Sequence, residues 1–406
     1  MRILHTSDWH LGQHFMGKTR QAEHQAFCRW LIEQVRERAV DALLIAGDVF
    51  DTGAPPSYAR EQYNQFIVEL RDTGASLVVL GGNHDSVAML GESRTLLAQL
   101  DTRVIPAVGT DLAEQVLVLR RRSGEPGAIL CAIPFIRPRD VLQSQAGQSA
   151  TDKQLSLQQA IQDHYQQLFA LAEQRRAELG GGLPIVATGH LATVGASASE
   201  SVREIYVGAL EAFPTNAFPA ADYIALGHIH RPQKVGGLEH IRYCGSPIAL
   251  SFDEARQQKE VLLVELDSIG LHKVEALPVP RFQALHSLRG SLADLPAQIA
   301  EVAREGTPER PVWLEVLISA DDYLSDLQAR LASLCEGLPV EVLRIRRERG
   351  NATAGLQREA RETLDELNPE EVFDKRLESE ELDEPLRAGL LGLHREVLVE
   401  LREDQA

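Results

Sequence analysis

Seven side chains suited to holding metal ions stand just beyond short apolar runs: Asp8, His10, Asp48, Asn83, His190, His228 and His230. Carboxylate, imidazole and amide donors gathered in one place could bind two divalent cations. Such a pair, about 3.5 to 4 Å apart, clamps the attacking and leaving oxygens of a phosphoryl displacement. One carboxylate must then be shared, and Asp48 in GDVFD is the residue expected to bridge. Asp8, His10, Asp48 and His230 would hold the first ion, and Asp48, Asn83, His190 and His228 the second. The two histidines of GHIH, spaced i, i+2, share a face of an extended chain, so both reach the site. Mixed imidazole and oxygen donors favour manganese, iron or zinc over magnesium, and manganese is the expected ion. His84, next to Asn83, is placed above the metals as a catalytic proton donor to a phosphate oxygen or leaving alkoxide. Asp51 is expected to orient His84 and raise its pKa, while Asp85 is assigned to the turn.

The elements that must position these groups share one local grammar. RILHTSDWH, ALLIAGDVFD, SLVVLGGNHD, PIVATGH and DYIALGHIH each run apolar and then close in a Gly-, His- or Asp-bearing turn. Runs of this length read as buried strands, and in open α/β sheets the loops beyond strand ends converge on one crevice. A single His or Asp after such a run is ordinarily turn or surface chemistry. Five repeats of the pattern in one chain make a shared site the stronger interpretation. Between the runs, Phe27, Trp30, Leu31 and Val35, then Tyr63, Phe66, Ile67 and Leu70, recur at helical spacing and predict sheet-covering helices. A further helix is expected over Ser93 to Leu100, a hairpin over residues 115–133, and a long polar helix over Thr151 to Glu178. The stretches Lys234 to Cys244, Glu260 to Glu265 and His272 to Ala276 are expected to complete an antiparallel half.

Pro278-Val279-Pro280 marks a boundary. Beyond it a strand, helix, strand, helix, strand series predicts a small α/β cap domain that could steer a substrate. From Gly350 the chain turns polar and acidic, with helical apolar spacing around Leu364 to Phe373 and Leu386 to Leu401 that suits docking to a partner. The expected division is 1–280, 281–347 and 348–406. At 406 residues, 44% hydrophobic, the chain has ample material for more than one core. Its net charge of -18 lowers the expectation of a nucleic-acid binder without excluding one, since a metal site neutralises carboxylates. Four scattered cysteines argue against a disulfide framework or zinc knuckle. No run reaches membrane-spanning length and the N-terminus lacks a leader pattern, so the expected location is cytoplasmic. One motif competes: Gly12, Gly17, Lys18 and Thr19 fit GxxxxGKT, the phosphate-binding loop of nucleotide hydrolases. Asp8 to Leu11 intervene between strand and first glycine, and bulky Phe15 and Met16 fill the loop, so the match is poor.

SDWH, GDVFD, GNHD, GH and GHIH together resemble the calcineurin-like metallophosphoesterases, and that resemblance implies an α/β fold: a β-sandwich flanked by helices around a dinuclear metal site. HTSDWHLG, the FD after GDV, and YCGSPIALSFDE are similar to the SbcD family of bacterial nuclease subunits, across nearly the whole chain. The resemblance implies a manganese-dependent DNA nuclease, a 3′ to 5′ exonuclease on duplex ends and an endonuclease at single-stranded or hairpin DNA. It further implies a homodimer, with helices 57–70 and 93–100 expected at the contact, joined to an SbcC-type ATPase whose coiled coil is gripped by the C-terminal helices. At the position of Asp51 archaeal and eukaryotic relatives often carry His, so no phosphate contact is carried over to it. The alternatives are a small-substrate enzyme, such as a cyclic-nucleotide phosphodiesterase or protein phosphatase, or a metal-free scaffold. Thr52 and Ser86-Val87 stand where phosphatases of the superfamily usually carry arginine, and intact ligands disfavour a scaffold.

Overall fold

The computed structural model describes residues 1–142, 150–203, 205, 210, 212–318, 327–347, 390 and 393. Strands β1 (Arg2–Thr6), β2 (Ala42–Ala46), β3 (Ser76–Leu80) and β4 (Thr102–Ile105) lie side by side and parallel. Their apolar runs are continuous because both faces are covered. Leu4, Leu43, Ile45, Leu77 and Val79 point to one side, where helices α1 (Gln21–Glu37) and α2 (Ser57–Arg71) bury Phe27, Leu31, Tyr63 and Phe66. The alternate residues Ile3, Leu44, Ala46, Val78 and Leu80 point to the other side, against a second sheet.

That sheet contains β5 (Val116–Arg120), β6 (Pro126–Cys131), β7 (Ile185–His190), β8 (Tyr223–Gly227), β9 (Gln233–Val235) and β10 (Leu238–Tyr243), in the order β9-β10-β8-β7-β6-β5. Helix α3 (Ala150–Glu178) covers its outer face with Leu157, Ile161, Tyr165 and Leu168. Two helix-covered sheets therefore enclose a shared apolar layer, as the resemblance implied.

The stretches expected to form one antiparallel half divide between the two sheets. β10 lies parallel to β8, with only short β9 antiparallel beside it. β11 (Glu260–Asp267) and β12 (Gly270–Pro278) return to the first sheet, where β11 pairs antiparallel with β1 on the side away from β2. Alternation predicts a strand, but which open edge receives it depends on partners distant in sequence.

Beyond Pro280, β13 (Leu285–Gly290), α4 (Leu295–Val302), β14 (Val312–Ile318), α5 (Leu327–Cys335) and β15 (Val340–Arg347) form a parallel three-stranded sheet with its own core of Leu288, Leu295, Ile299, Leu314 and Leu331. It meets the rest through Phe15, Phe252, Leu285 and Trp313. The Phe15 and Trp313 rings stack with centroids 5.8 Å apart, and the guanidinium of buried Arg20 lies 5.0 Å from the Phe15 centroid.

The segment that matches GxxxxGKT is a β-hairpin. His14–Phe15 pairs antiparallel with Lys18–Thr19, and Met16 and Gly17 between them have φ of 49° and 83°, the paired left-handed residues of a tight hairpin turn. Lys18 is paired with Glu341 of the small domain. Lys18 and Thr19 lie in the returning strand of this hairpin, and α1 opens only at Gln21, so the glycines and lysine form no phosphate cradle, which removes the nucleotide-hydrolase alternative. The helical segments around Leu364 to Phe373 and Leu386 to Leu401 lie outside the described residues, apart from Leu390 and Leu393. Among the described residues no helix is long and apolar enough to cross a membrane.

Candidate metal centre

Parallel pairing brings the carboxyl ends of β1, β2 and β3 together, and β7 and β8 do the same in the opposing sheet. Asp8 and His10 follow β1, Asp48 follows β2, Asn83 and His84 follow β3, His190 ends β7, and His228 and His230 follow β8. Glycine permits this closeness: a Cβ on Gly227 would overlap the Ala46 carbonyl oxygen across the two sheets, and one on Gly82 would overlap the Asp48 carboxylate of the neighbouring turn in the same sheet. Asp8, His10, Asp48 and His228 all have left-handed backbones, with φ of 55°, 49°, 50° and 94°. Such conformations cost a non-glycine residue about 1 kcal/mol or more and persist only when the surroundings over-determine them. Here they do: Asp8 N–H donates to Gly47 O at 3.0 Å and His10 N–H to Asp48 O at 3.1 Å, while His228 N–H donates to Asp8 Oδ1 at 2.9 Å.

Two ligand clusters result. Asp8, His10 and His230 form one, and Asp48, His190 and His228 the other, with donor atoms in each within 4.8 Å of one another. Asn83 Oδ1 joins the second at 2.9 Å from His190 Nε2 and 3.2 Å from His228 Nδ1. Asp48 Oδ2 stands between the clusters, 3.2 Å from His190 Nε2 and 3.7 Å from His10 Nε2. All seven expected ligands are thus brought together around a central carboxylate.

The residues fit a pair of cations. His10 Nε2 is buried with no hydrogen-bond partner, an orphaned lone pair among carboxylates that a cation would satisfy. Three rings commit Nδ1 elsewhere, which leaves Nε2 to the cluster: His10 to Asp51 Oδ1 at 3.1 Å, His190 to Ala46 O at 2.9 Å and His230 to Ser201 Oγ at 2.6 Å. Ligating histidines are ordinarily oriented in this way.

Asp51 orients His84 as expected, but through its main chain, and without the expected net rise in pKa. Its carboxylate turns to His10, and only its main-chain carbonyl reaches His84, accepting from Nδ1–H at 2.7 Å. Burial lowers the His84 pKa overall, and the Asp48 carboxylate and the hydrogen bond to the Asp51 carbonyl offset it only in part. The GDVFD turn places residue 51's carbonyl, not its side chain, opposite the GGNHD turn. His84 still stands over the site, its ring 4.6 Å from that of His10 and grouped with His10 and Asp48.

Elsewhere in the cluster burial competes with charge. Burial pulls the His190 pKa down, but the Asp48 carboxylate more than offsets this and carries it up to about 9. Burial works against ionised Asp48 too, yet the facing histidines hold its pKa well below the usual carboxylate range. A bound cation would replace those ring protons as the positive partner. His5 and His24, left out of the ligand set, instead hydrogen-bond Tyr223 and the Trp9 carbonyl.

Asp85 serves the turns, as expected. It accepts from the backbone N–H groups of Val49, Phe50 and Gly82 at 3.2, 3.0 and 2.9 Å, so one carboxylate ties the Asp48 loop to the Asn83 loop. Three residues escaped the sequence reading: Ser201, Glu254 and Lys259, which lie behind His230. Glu254 ends the YCGSPIALSFDE stretch, and a carboxylate in an otherwise apolar, small-residue run was the available signal.

Residues 1–232 match the family described as calcineurin-like phosphoesterase, and residues 281–381 match the type 5 capsule protein repressor C-terminal domain. The SbcD subunit of the nuclease SbcCD from Escherichia coli (strain K12) is 56% identical over 393 residues, covering 97% of this chain and 96% of its own length. That of Rhodobacter capsulatus is 34% identical over 356 residues, covering 84% and 86%. Among solved structures, a dimetal phosphatase from Danio rerio aligns over 68% of this chain and 98% of its own at a TM-score of 0.40 and 14% identity.

Proposed function

The chain belongs to the calcineurin-like phosphoesterases and, within them, to the SbcD nuclease subunits, and from that premise we propose that it is a dinuclear-metal phosphodiesterase that cuts DNA. The observation that carries the proposal is Asp48 standing between two clusters of buried donors. Asp8, His10, Asp48 and His230 would hold one ion, and Asp48, Asn83, His190 and His228 the other. The mixed donor set suits manganese, iron or zinc over magnesium, and manganese is the proposed ion. When bound, the ions supply Lewis acidity for the attacking water and charge neutralisation for the phosphodiester.

The chain's own residues do the rest. Asp51 holds the His10 ring through Nδ1, and its carbonyl fixes the Nδ1–H of His84. Nε2 of His84 is then the atom that takes up a proton, and the charged ring can hand it to the leaving oxygen. Asp85 keeps the two loops in register, and the left-handed backbones hold the ligands in place before substrate arrives.

The finer activity we propose is ATP-linked 3′ to 5′ exonuclease on duplex ends and endonuclease at single strands or hairpins, with ATP hydrolysed by an SbcC-type partner. In the chain's division at 280 and 347, the small domain caps the site and steers DNA, and the C-terminal helices hold the partner. Helices 57–70 and 93–100 are the proposed homodimer contact, where Val68 and Leu96 are exposed.

The test is the purified chain with manganese on a blunt duplex, a DNA hairpin and a cyclic nucleotide, beside Asp48→Asn. Cleavage of both DNAs, lost in the variant together with manganese binding, supports the proposal. Turnover of the cyclic nucleotide alone, or undiminished cleavage by Asp48→Asn, would overturn it.

A further inference from the structure

Behind His230 lies a charged network buried at the edge of the site. His230 Nδ1 is 2.6 Å from Ser201 Oγ, and the same hydroxyl contacts Glu254 Oε1. Glu254 is fully buried. Its Oε1 also accepts from Ser199 Oγ at 2.6 Å, and its Oε2 accepts from Lys259 Nζ at 2.7 Å and from Leu250 N–H at 3.0 Å. Lys259, itself buried, donates further to the His230 carbonyl at 2.9 Å and to Ser246 Oγ at 3.0 Å. A carboxylate with a lysine on one oxygen and hydroxyls on the other is built to stay ionised. The segment bearing Ser201 is held from both sides: Glu200 N–H donates to Asp253 Oδ2 at 3.1 Å, and the Glu200 side chain pairs with Arg344 and Arg346 of the small domain at 3.8 and 3.7 Å.

A hydroxyl has one proton to give. Facing an ionised carboxylate, Ser201 donates it to Glu254 and can only accept from His230, so the ring must carry its hydrogen on Nδ1. A neutral imidazole with Nδ1–H has its lone pair on Nε2, the nitrogen left to Asp8 and His10. We propose that Ser201 and Glu254 are positioning residues for His230, a serine-bridged relay that fixes the ring's tautomer and presents Nε2 to the first cation. Lys259 holds the carboxylate in place and, through the His230 carbonyl, anchors the backbone of the same residue. This rests on Asp8, His10 and His230 being a cation site, and the relay further assigns the geometry of one of the two ions to residues outside the ligand set.

The experiment pairs a metal-free readout with a metal-binding one. In metal-free protein labelled with ¹⁵N-histidine, the His230 ring, identified by its loss in His230→Gln, should show the Nδ1–H tautomer. In Ser201→Ala, where only the Glu254 carboxylate 3.5 Å away is left to Nδ1, part of the population should shift toward Nε2–H, and Ser201→Thr should restore the original pattern. Calorimetric manganese titration should show Ser201→Ala weakening one of two sites about 10- to 100-fold, the usual cost of losing an outer hydrogen bond to a ligand, with the other site unchanged. Glu254→Gln combined with Lys259→Met, which removes the buried charges together, should weaken the same site. An unaltered tautomer in Ser201→Ala, or equal weakening of both sites, would overturn the relay. Wild-type protein that shows the Nδ1–H tautomer but binds fewer than two ions would overturn the cation-site premise and, with it, the relay's assigned purpose.

Discussion

Replacing Asp85 with alanine should damage stability and metal binding together. The buried carboxylate accepts three backbone N–H groups, at 2.9 to 3.2 Å, from two different loops. Each donor left without a partner costs about 1 to 3 kcal/mol. Water entering the vacated space recovers part of this, so a net loss of about 3 to 6 kcal/mol is expected, out of a typical total of about 5 to 15 kcal/mol. Because Asp48 hangs from one stapled loop and Asn83 from the other, manganese binding should fall together with stability. Asp85→Asn gives an intermediate case. Its amide oxygen can still serve the pair on Oδ2, Val49 and Gly82, but its NH₂ then opposes the Phe50 N–H, for a loss of about 1 to 3 kcal/mol. Urea unfolding followed by tryptophan fluorescence, with manganese titration of each folded variant, measures both effects. An alanine variant within about 1 kcal/mol of wild type, with unchanged manganese affinity, would refute the claim that this carboxylate holds the two loops together.

His84→Gln should keep both manganese ions while DNA cleavage falls about 10²- to 10⁴-fold, the range for losing a general acid; titration beside a nuclease assay separates the two, and loss of an ion would reassign His84 to the ligands. Burial holds His24 at about 3 against an ordinary 6.5, so the unfolded chain takes up a proton below 6.5 that the folded chain refuses until about 3. Stability is therefore lost as pH falls through that window, by about 2 kcal/mol at pH 5 from this residue. His24→Gln should lose correspondingly less between pH 7.5 and pH 5 in denaturant titrations, and parallel losses would show that His24 does not set the acid limb. Trp313→Ala removes the ring stacked on Phe15 and should speed amide exchange throughout the small domain's sheet while that of β1 to β3 stays slow; equal acceleration everywhere would mean that the seam is no independent joint.

The ligand turns were legible because their signal is local: an apolar run that stops at Gly-Asp or Gly-His announces a buried strand with a polar end. The small domain was legible for a similar reason, since helix and strand periods alternate there over short distances between prolines. Asp51 shows where such reading stops. Sequence places its carboxylate three residues from the expected ligand Asp48, but whether side chain or carbonyl faces His84 depends on the turn's backbone. GxxxxGKT misleads in the opposite direction, because a pattern of residue types is indifferent to whether Met16-Gly17 forms a hairpin turn or a phosphate cradle. Ser201 and Glu254 lie 29 and 24 positions from His230 with no periodicity connecting them, so only the folded chain discloses their contact. The split of the expected antiparallel half has the same origin, since β11 alternates as well against one sheet as against the other.

The place of β1 has a temporal consequence. It is flanked by β2 on one side and β11 on the other, with the amino group of Met1 on the Leu266 carbonyl, and Asp8 receives the N–H of His228. At about 5 to 20 residues per second of synthesis, the first strand waits roughly 15 to 50 seconds for its second neighbour to emerge from the ribosome. During that interval a fragment carrying Asp8, His10 and Asp48 has only part of either donor set. A growing chain cannot become a competent phosphodiesterase beside nucleic acid until more than half of it has been made.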